Sequence, residues 1–172
     1  MLSTKRLYLK SFKHDDNKFL YKLNNNRKVN RYLSADSVSI KDCNNMINKW
    51  IKKYGDDSIF NVHKVMLKGT EEIIGFVCLK KDTNKREAEL GYSFIPKYWG
   101  KGYCIEIAKE LIECAFEKTE VERIVAETHP ENERSISLLR RLNFKEDNRY
   151  GEHFGKLYYL DGIDLSSFNE NK

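Results

Sequence analysis

The sequence predicts a single α/β (α+β) domain built on a mixed, mostly antiparallel sheet. Three observations lead to this prediction: a length of 172 residues, three consecutive strand patterns joined by short turns, and one long helical pattern directly after them. The length is that of one ordinary domain with its own hydrophobic core. No internal repeat or linker interrupts the pattern, so we take residues 1–172 as one domain.

The N-terminal part carries one strand signal and two helix signals. Arg6–Lys10 alternates apolar and polar residues, which predicts a strand. His14-Asp15-Asp16 then opens a helix, because acidic groups are favoured at the positive helix end. After an Asn-rich stretch, Ser37 or Ser39 caps a second helix. The apolar residues of that helix are Ile40, Met46, Ile47, Trp50 and Ile51.

Three strand patterns follow, over Phe60–Leu67, Glu72–Lys80 and Arg86–Ile95. The connections Lys68-Gly69-Thr70 and Asp82-Thr83-Asn84-Lys85 have the composition of tight turns. Short turns join antiparallel neighbours, so this region is predicted to be an antiparallel meander. Pro96 ends the last strand because proline cannot continue a central ladder.

The C-terminal half begins with the clearest helix of the chain. From Tyr103 to Lys118, apolar residues recur at helical spacing, at Ile105, Ala108, Leu111, Ile112, Ala115 and Phe116. We then predict a strand over Arg123–Thr128, a short helix over Ser135–Leu142 and a strand from Phe144. Leu157–Leu160 is a candidate for the last strand.

Composition and charge limit the function classes. The net charge is +5, and the lysines are scattered rather than clustered, which does not favour a nucleic-acid surface. We find neither an apolar stretch of signal-peptide length at the N-terminus nor a run that could span a bilayer. The sequence therefore predicts a soluble, cytoplasmic protein whose partners include neither nucleic acid nor a membrane.

The metal-binding residue types are dispersed. The cysteines are Cys43, Cys78, Cys104 and Cys114, and the histidines are His14, His63, His129 and His153. There is no Cys-x-x-Cys pair and no zinc-ligand spacing. We expect no metal, and free thiols suit a reducing cytosol.

The segment from Phe94 to Tyr103 is the most informative motif. Gly100 and Gly102 allow the backbone to turn with its N–H groups facing one concavity, and the following helix adds the positive end of its dipole. This arrangement suits phosphate oxygens, with Lys97 and Lys101 adding positive charge. The alternative is a simple tight turn between a strand and a helix. The segment is neither a P-loop nor a complete dinucleotide fingerprint.

The surrounding motifs favour the phosphate interpretation. Ala88-Glu89-Leu90-Gly91-Tyr92 before the turn and Gly100-Lys101-Gly102-Tyr103-Cys104 after it resemble the acyl-CoA-binding segment of GNAT acetyltransferases. The segments 129–135 and 138–144 resemble that family's Asn-x-x-Ser motif and its Leu-Gly-Phe ending. Thr4-Lys5-Arg6-Leu7-Tyr8-Leu9 with Asp15-Asp16 resembles the ribosomal-protein N-terminal (alanine/serine) acetyltransferase branch. The resemblance covers nearly the whole chain in the expected order.

The resemblance implies a site for acetyl-CoA between two strands, 86–95 and 123–128, that splay apart. The backbone around Phe94 and Ile95 would pair with the pantetheine arm, and an N–H near Phe94 would stabilise the oxyanion. Asn132 would also contact the pantetheine. The pyrophosphate would be held by backbone N–H groups of Trp99, Gly100, Lys101, Gly102 and Tyr103.

The sequence departs from the family pattern at three positions. Lys97 replaces a frequent Gln or Arg, and Asn143 replaces the Gly of Leu-Gly-Phe, where Asn tolerates the left-handed conformation. Leu139 stands where many members have a Tyr that protonates the leaving thiolate. The ribosomal-protein branch is thought to use a Ser, which corresponds to Ser135. The alternative role of Ser135 is a helix N-cap.

The best candidate for the general base is Glu89, acting through water, and its alternative is a solvent-facing strand residue. Glu87 shares the same parity and is a weaker candidate. His129 and His153 are further candidates, although a lone His more often has a structural role. Tyr92 and Tyr32 are candidates for lining the acceptor pocket.

The resulting prediction is an acetyl-CoA-dependent N-acetyltransferase that transfers acetyl directly to a primary amine. The acceptor is a protein N-terminus or a small-molecule amine. Few acidic residues lie in the two N-terminal helices, which argues against a strongly cationic antibiotic. A non-catalytic acyl-CoA-binding module is the rival hypothesis. A homodimer is left open as the assembly.

Overall fold

A computed structural model describes residues 2–33, 37–55, 59–82, 85–151 and 155–164. One seven-stranded sheet organises them, in the order β1-β2-β3-β4-β5-β7-β6. All neighbouring strands are antiparallel except β4 and β5, which run parallel. The predicted mixed, mostly antiparallel sheet is therefore confirmed.

The strands follow the predicted order. Their bounds are β1 Leu7–Ser11, β2 Val62–Leu67, β3 Glu72–Lys81, β4 Glu87–Phe94, β5 Arg123–Thr128, β6 Lys145–Tyr150 and β7 Lys156–Asp161. Strands β2, β3 and β4 form the predicted antiparallel meander. At the tip of the first hairpin, Gly69 has a φ of 82°, which glycine adopts without steric cost.

Among the described residues, five α-helices lie between these strands. Their bounds are α1 Asn17–Asn24, α2 Arg27–Asn30, α3 Ile40–Ile51, α4 Tyr103–Lys118 and α5 Glu133–Arg141. Short 3₁₀ turns precede α1, at His14–Asp16, and the glycine loop, at Pro96–Tyr98. The Ser39 hydroxyl accepts a hydrogen bond from the Asp42 N–H at 3.1 Å, so Ser39, not Ser37, caps α3.

Two hydrophobic clusters cover opposite faces of the sheet. On one face, α4 buries Ile107, Ala108, Leu111 and Ile112 against the sheet residues Ala88 and Leu90. On the other face, α1 and α3 bury Leu20, Cys43 and Ile47 with Phe12. The core residues of β4 and β5, which carry the predicted site, belong to the cluster that α4 covers.

The pairing between β4 and β5 is short. It covers the three pairs Glu87↔Arg123, Ala88↔Ile124 and Glu89↔Val125. Beyond Glu89, β4 remains paired with β3 through the Gly75↔Phe94 pair, while β5 remains paired with β7 through the Thr128↔Lys156 pair. The two strands therefore diverge towards their C-terminal ends, which confirms the predicted splay.

Several predicted element bounds needed correction. The first strand begins at Leu7 rather than Arg6, β2 begins at Val62 rather than Phe60, and α5 begins at Glu133 rather than Ser135. The first predicted helix is divided into a 3₁₀ turn and α1. The Asn-rich stretch contains α2, a single turn that sequence periodicity did not reveal, whose N-cap is Asn26.

Candidate active site

The glycine loop joins β4 to α4 at the open end of the splay. Gly100 and Gly102 have φ values of 73° and 76°, in the left-handed region that favours glycine. An added Cβ at Gly100 would meet no atom within 4 Å, so the backbone angle alone accounts for glycine there. Both glycines predicted for the loop therefore adopt the conformation on which the phosphate interpretation depends.

The N–H groups of this loop point to an anion site, with one exception. The Trp99 N–H donates to the Pro96 carbonyl at 3.2 Å, so it belongs to the 3₁₀ turn rather than to the predicted set of phosphate donors. Within the described part of the chain, the N–H groups of Gly100, Lys101, Gly102 and Tyr103 have no backbone acceptor. Because α4 begins at Tyr103 without a side-chain cap, its positive end adds to these donors.

The backbone of β4 offers polar groups to the gap between the strands. The Ile95 N–H donates to the Ile74 carbonyl of β3 at 2.9 Å, beside the Gly75↔Phe94 pair. In an antiparallel ladder, alternate residues direct both backbone groups to the same neighbour. Ile95 therefore faces β3, while Phe94 and Tyr92 direct their backbone groups to the gap.

The Phe94 carbonyl already has a partner. The Trp99 indole Nε1–H donates to it at 2.7 Å, which ties the glycine loop to the end of β4. The backbone around Phe94 and Ile95 was predicted to pair with a pantetheine amide. The Ile95 N–H and the Phe94 carbonyl already have partners, so fewer backbone groups than predicted are available for this pairing. The Phe94 N–H and the Tyr92 backbone groups are the ones that face the gap.

Three cationic side chains lie near the glycine loop, and each has its own partner. The Lys101 ammonium lies 5.5 Å from the Tyr98 ring centroid, and Lys97 pairs with Glu72 at 3.4 Å, so Lys97 directs its charge towards β3. On α5, the Arg134 guanidinium lies 4.6 Å from the Trp99 ring centroid. Sequence reasoning did not single out Arg134.

Ser135 lies on the α5 side of the gap, and it is not a helix cap. Asn132 is the N-cap of α5, because its Oδ1 accepts a hydrogen bond from the Ser135 N–H at 3.3 Å. The Ser135 Oγ lies 2.8 Å from the Tyr92 hydroxyl oxygen. The alternative interpretation of Ser135 as an N-cap is therefore wrong, and Asn132 has that role.

Tyr92 belongs to the face of β4 that packs on α4, the same parity as Ala88 and Leu90. It was a candidate for the acceptor pocket, but its side chain reaches Ser135 instead. Burial raises the pKa of Tyr92, and the nearby Cys104 thiol adds to this increase. The Tyr92 hydroxyl therefore stays protonated at neutral pH and can act as a hydrogen-bond donor.

Glu89 lies on the opposite face of β4, at the last residue pair with β5. Its carboxylate is 43 % exposed and lies 3.8 Å from the Lys80 ammonium on β3. Glu87 shares this face, and its carboxylate lies 3.9 Å from Lys85. The structure therefore places Glu89 at the point of divergence and Glu87 two residues further from the gap.

The His129 ring follows the C-terminal end of β5. Its Nδ1 accepts a hydrogen bond from the Glu131 N–H at 3.2 Å, so the neutral ring carries its proton on Nε2. This tautomer leaves Nε2 a donor, which is unsuited to a general base. The ring lies 5.4 Å from Tyr32, between centroids, so Tyr32 and His129 form an aromatic pair. His153 lies outside the described residues.

The two departures on and after α5 have structural consequences. Leu139 has no exposed surface and belongs to the main core, where it packs rather than faces the gap. Asn143 has a φ of 60°, the left-handed conformation expected where the family pattern has Gly. The Phe144 N–H donates to the Leu139 carbonyl at 3.0 Å and closes the helix end.

Where the structure describes the chain, no group of three or more His, Cys, Asp or Glu side chains could hold a metal ion. No helix of the described segments has both the length and the apolar character needed to cross a bilayer.

A parallel pair of strands that diverges beside an uncapped helix and a glycine loop is an arrangement that suits a phosphate-bearing, extended ligand. A family model described as "Acetyltransferase (GNAT) domain" matches residues 6–145 of the chain. The chain therefore belongs to the GNAT acetyltransferase family. It is an N-acetyltransferase, an acyltransferase that transfers an acetyl group to an amine.

A curated relative agrees with this assignment. The uncharacterized N-acetyltransferase p20 of Bacillus licheniformis is 30% identical over 151 residues, which are 85% of this chain and 83% of p20.

Solved structures share the fold. An acetyltransferase (GNAT family) from Bacillus anthracis has a TM-score of 0.79 at 22% identity, over 94% of this chain and 98% of its own. Spermidine N-acetyltransferase from Vibrio cholerae, in complex with CoA and spermine, has a TM-score of 0.76 at 20% identity, over 94% and 98%. A putative ribosomal-protein-serine acetyltransferase from Vibrio cholerae has a TM-score of 0.77 at 22% identity, over 93% and 96%.

Proposed function

We propose that this protein uses acetyl-CoA as its acetyl donor and transfers the acetyl group directly to the primary amine of a protein N-terminus or a small molecule. The observation that carries this proposal is the end of β4–β5 pairing at Glu89 and Val125. It leaves the backbone of Tyr92 and Phe94 facing the gap, next to a loop of N–H donors. An extended arm with amides and a pyrophosphate fits this combination.

The donor-binding residues divide between the two parts of that ligand. The N–H groups of Gly100, Lys101, Gly102 and Tyr103 would hold the pyrophosphate, and Trp99 would act by joining the loop to Phe94. The backbone groups of Tyr92 would pair with the pantetheine amides, which leaves the Phe94 N–H for the acetyl carbonyl. Asn132 uses its Oδ1 as the helix cap, so its side-chain amide is the group that would donate to the arm.

The reaction needs three roles from the chain. The amine nitrogen attacks the thioester carbonyl carbon, so a C–N bond forms and the C–S bond breaks. The ammonium group loses one proton before the neutral amine attacks, and the nitrogen loses a second proton as the amide forms. The departing thiolate gains one proton, so one proton is released overall. We assign the Phe94 N–H, which faces the gap, to the negative charge that develops on the carbonyl oxygen, because a fixed donor is most effective there.

Glu89 is our candidate for the base. Its carboxylate lies on the face opposite α4 and remains accessible, and it stands where the strands begin to separate. A carboxylate there can take the ammonium proton through water. His129 is less suited, because its Nδ1 lone pair already accepts from the Glu131 N–H.

Ser135 is our candidate for the acid that protonates the thiolate, and Tyr92 is its hydrogen-bond partner. When the Tyr92 hydroxyl donates to the Ser135 Oγ, the Ser135 proton is free to be donated elsewhere. Burial raises the pKa of Tyr92, so the tyrosine keeps its proton and can fill this role.

The acceptor class is the least constrained part of the proposal. The spermidine and ribosomal-protein acetyltransferases that share the fold act on different amines, so both classes belong in a test. The ribosomal-protein N-terminal branch is favoured by the Thr4–Leu9 motif and by Ser135. A cytoplasmic location and a single domain over residues 1–172 complete the proposal, and the four free cysteines suit a reducing compartment.

The experiment is a thiol-release assay with acetyl-CoA and a panel of amines. The panel contains peptides with different N-terminal residues, polyamines and aminoglycosides, and product masses identify the acetylated amine. Release that depends on one class of amine would support the proposal and name the acceptor. Tight binding of acetyl-CoA without thiol release for any amine would contradict the proposal. Separately, size-exclusion chromatography of the same sample would report whether the protein is a homodimer.

A further inference from the structure

Arg6 precedes β1, and it contacts the start of α4 about a hundred residues later in the chain. Its Nε donates to Glu106 Oε2 at 2.6 Å, and its Nη1 donates to the Lys101 carbonyl at 3.0 Å. Its guanidinium carbon lies 4.4 Å from the centroid of the Tyr103 ring. One guanidinium group therefore holds the glycine loop and the first turn of the helix together.

The contact with the Lys101 carbonyl fixes a neighbouring donor. In a trans peptide unit the C=O and the following N–H point in opposite directions. Because Arg6 holds the Lys101 carbonyl, the Gly102 N–H points away from Arg6. An ideal Cβ on Gly102 would lie 3.4 Å from Arg6 Nη2, so the guanidinium lies directly against the loop backbone.

Glu106 has both carboxylate oxygens occupied by the N-terminal segment. Its Oε1 accepts from the Thr4 hydroxyl at 2.6 Å and from the Arg6 N–H at 2.9 Å. Burial opposes the charged form of Glu106, but these hydrogen bonds and Arg6 outweigh it and lower the pKa of Glu106. Glu106 is therefore an ionised carboxylate in the first helical turn, where an unpaired negative charge would repel a phosphate.

We propose that Arg6 is a positioning residue for the pyrophosphate loop. It orients the Gly102 N–H through the Lys101 carbonyl, and it neutralises Glu106 beside the anion site. This inference rests on the proposed use of acetyl-CoA. It assigns the N-terminal segment of the chain to donor binding, whereas the proposed site otherwise lies between Glu89 and Ser135.

The test compares the affinity for CoA, measured by calorimetry, in the wild type, in Arg6→Ala and in a matched control. Arg123→Ala is the control, because Arg123 also makes a two-pronged ion pair, with Asp161 at 2.6 and 3.2 Å, away from the glycine loop. We expect Arg6→Ala to raise the Kd for CoA at least about fivefold more than Arg123→Ala does. A smaller difference would overturn the inference, because a general loss of stability would affect both variants.

A second variant tests the charge. Removing Arg6 exposes the Glu106 carboxylate to the pyrophosphate, so Arg6→Ala/Glu106→Gln should bind CoA about threefold or more tighter than Arg6→Ala alone. Rescue by a second substitution is not expected from a merely structural role. If the double variant binds no tighter, the neutralising role is wrong. If the wild type itself does not bind CoA, the proposed acetyl donor is wrong and this inference is wrong with it. If the wild type turns over acetyl-CoA but Arg6→Ala raises the Kd for CoA no more than Arg123→Ala does, only this inference is wrong.

Discussion

The hydroxyl groups of Tyr92 and Ser135 lie 2.8 Å apart, although one residue is on β4 and the other on α5. The pair therefore links β4, which borders the gap, to α5. Tyr92 is half-buried and packs against the main core cluster, to which α4 contributes. The proposed acid is thus linked to a second hydroxyl that cannot easily ionise, since burial raises the pKa of Tyr92.

A double-mutant cycle tests this link. We expect Ser135→Ala to lower kcat by about a hundredfold and Tyr92→Phe by about threefold to tenfold, with little change in KM for acetyl-CoA. If Tyr92 acts only through Ser135, the double variant should be no slower than Ser135→Ala. Multiplicative losses in the double variant would contradict this arrangement.

Tyr158→Phe is the matched control for that cycle. The Tyr158 side chain is buried, at 1 % exposure, and its hydroxyl lies 3.4 Å from the Glu146 carboxylate. Loss of that hydroxyl should lower thermal stability slightly and leave kcat unchanged. An equal loss of kcat in Tyr158→Phe and Tyr92→Phe would mean that Tyr92 contributes only to packing.

Glu89→Gln tests the proposed base. The substitution keeps the shape of the side chain and removes its ability to take a proton, so kcat should fall at least about tenfold. Lys80→Ala is the control, because it removes the ion-pair partner of Glu89 and keeps the carboxylate. An exposed pair of this kind contributes little, about 0–1 kcal/mol, so Lys80→Ala should retain most activity. Comparable losses in the two variants would argue against a base role.

The sequence predicted the strongly periodic elements with the right bounds. The helix Tyr103–Lys118 and the strand Arg123–Thr128 agree with the structure at both ends, because the helix keeps its apolar spacing throughout and the strand alternates buried and half-buried residues. The turn α2 was missed, since one helical turn is too short to show a period. Its only signal is Asn26, whose side chain caps it.

The site was predictable where it depends on backbone conformation and less so where it depends on distant contacts. The positive φ of Gly100, Gly102 and Asn143 follows from local sequence. The side of Tyr92 was also available from strand parity, since Ala88 and Leu90 mark the core face. The contacts of Arg6 with α4 were not, because no local pattern specifies a partner a hundred residues away.

Substitution of the loop glycines tests the backbone conformation. Gly100→Ala forces a side chain into the left-handed region, which costs about 1–2 kcal/mol, although there is space for the Cβ. We expect a lower melting temperature. We also expect a Kd for CoA at least about fivefold higher, because the backbone relieves the strain by a shift that displaces the N–H donors of the loop.

Gly69→Ala is the control for the glycine loop. Gly69 also has a positive φ, 82°, and an added Cβ would meet no atom within 4 Å, but it lies in the β2–β3 turn. It should lose a similar amount of stability and keep the wild-type affinity for CoA. Equal effects of the two substitutions on CoA binding would exclude a specific role of the Gly100 conformation.

The Glu106 carboxylate should give the fold a measurable dependence on acid pH. Its pKa in the folded protein lies below the ordinary value of 4.5, where hydrogen bonds from Thr4 and Arg6 overcome the effect of burial. A group whose folded pKa is lowered contributes stability that is present above its unfolded pKa and is lost as the pH falls through the folded pKa. The melting temperature of the wild type should therefore decrease more steeply below pH 4.5 than that of Glu106→Gln, which cannot take up this proton. Melting curves between neutral pH and acid would measure both slopes, and parallel curves would show that Glu106 does not link the N-terminal segment to the fold through its charge.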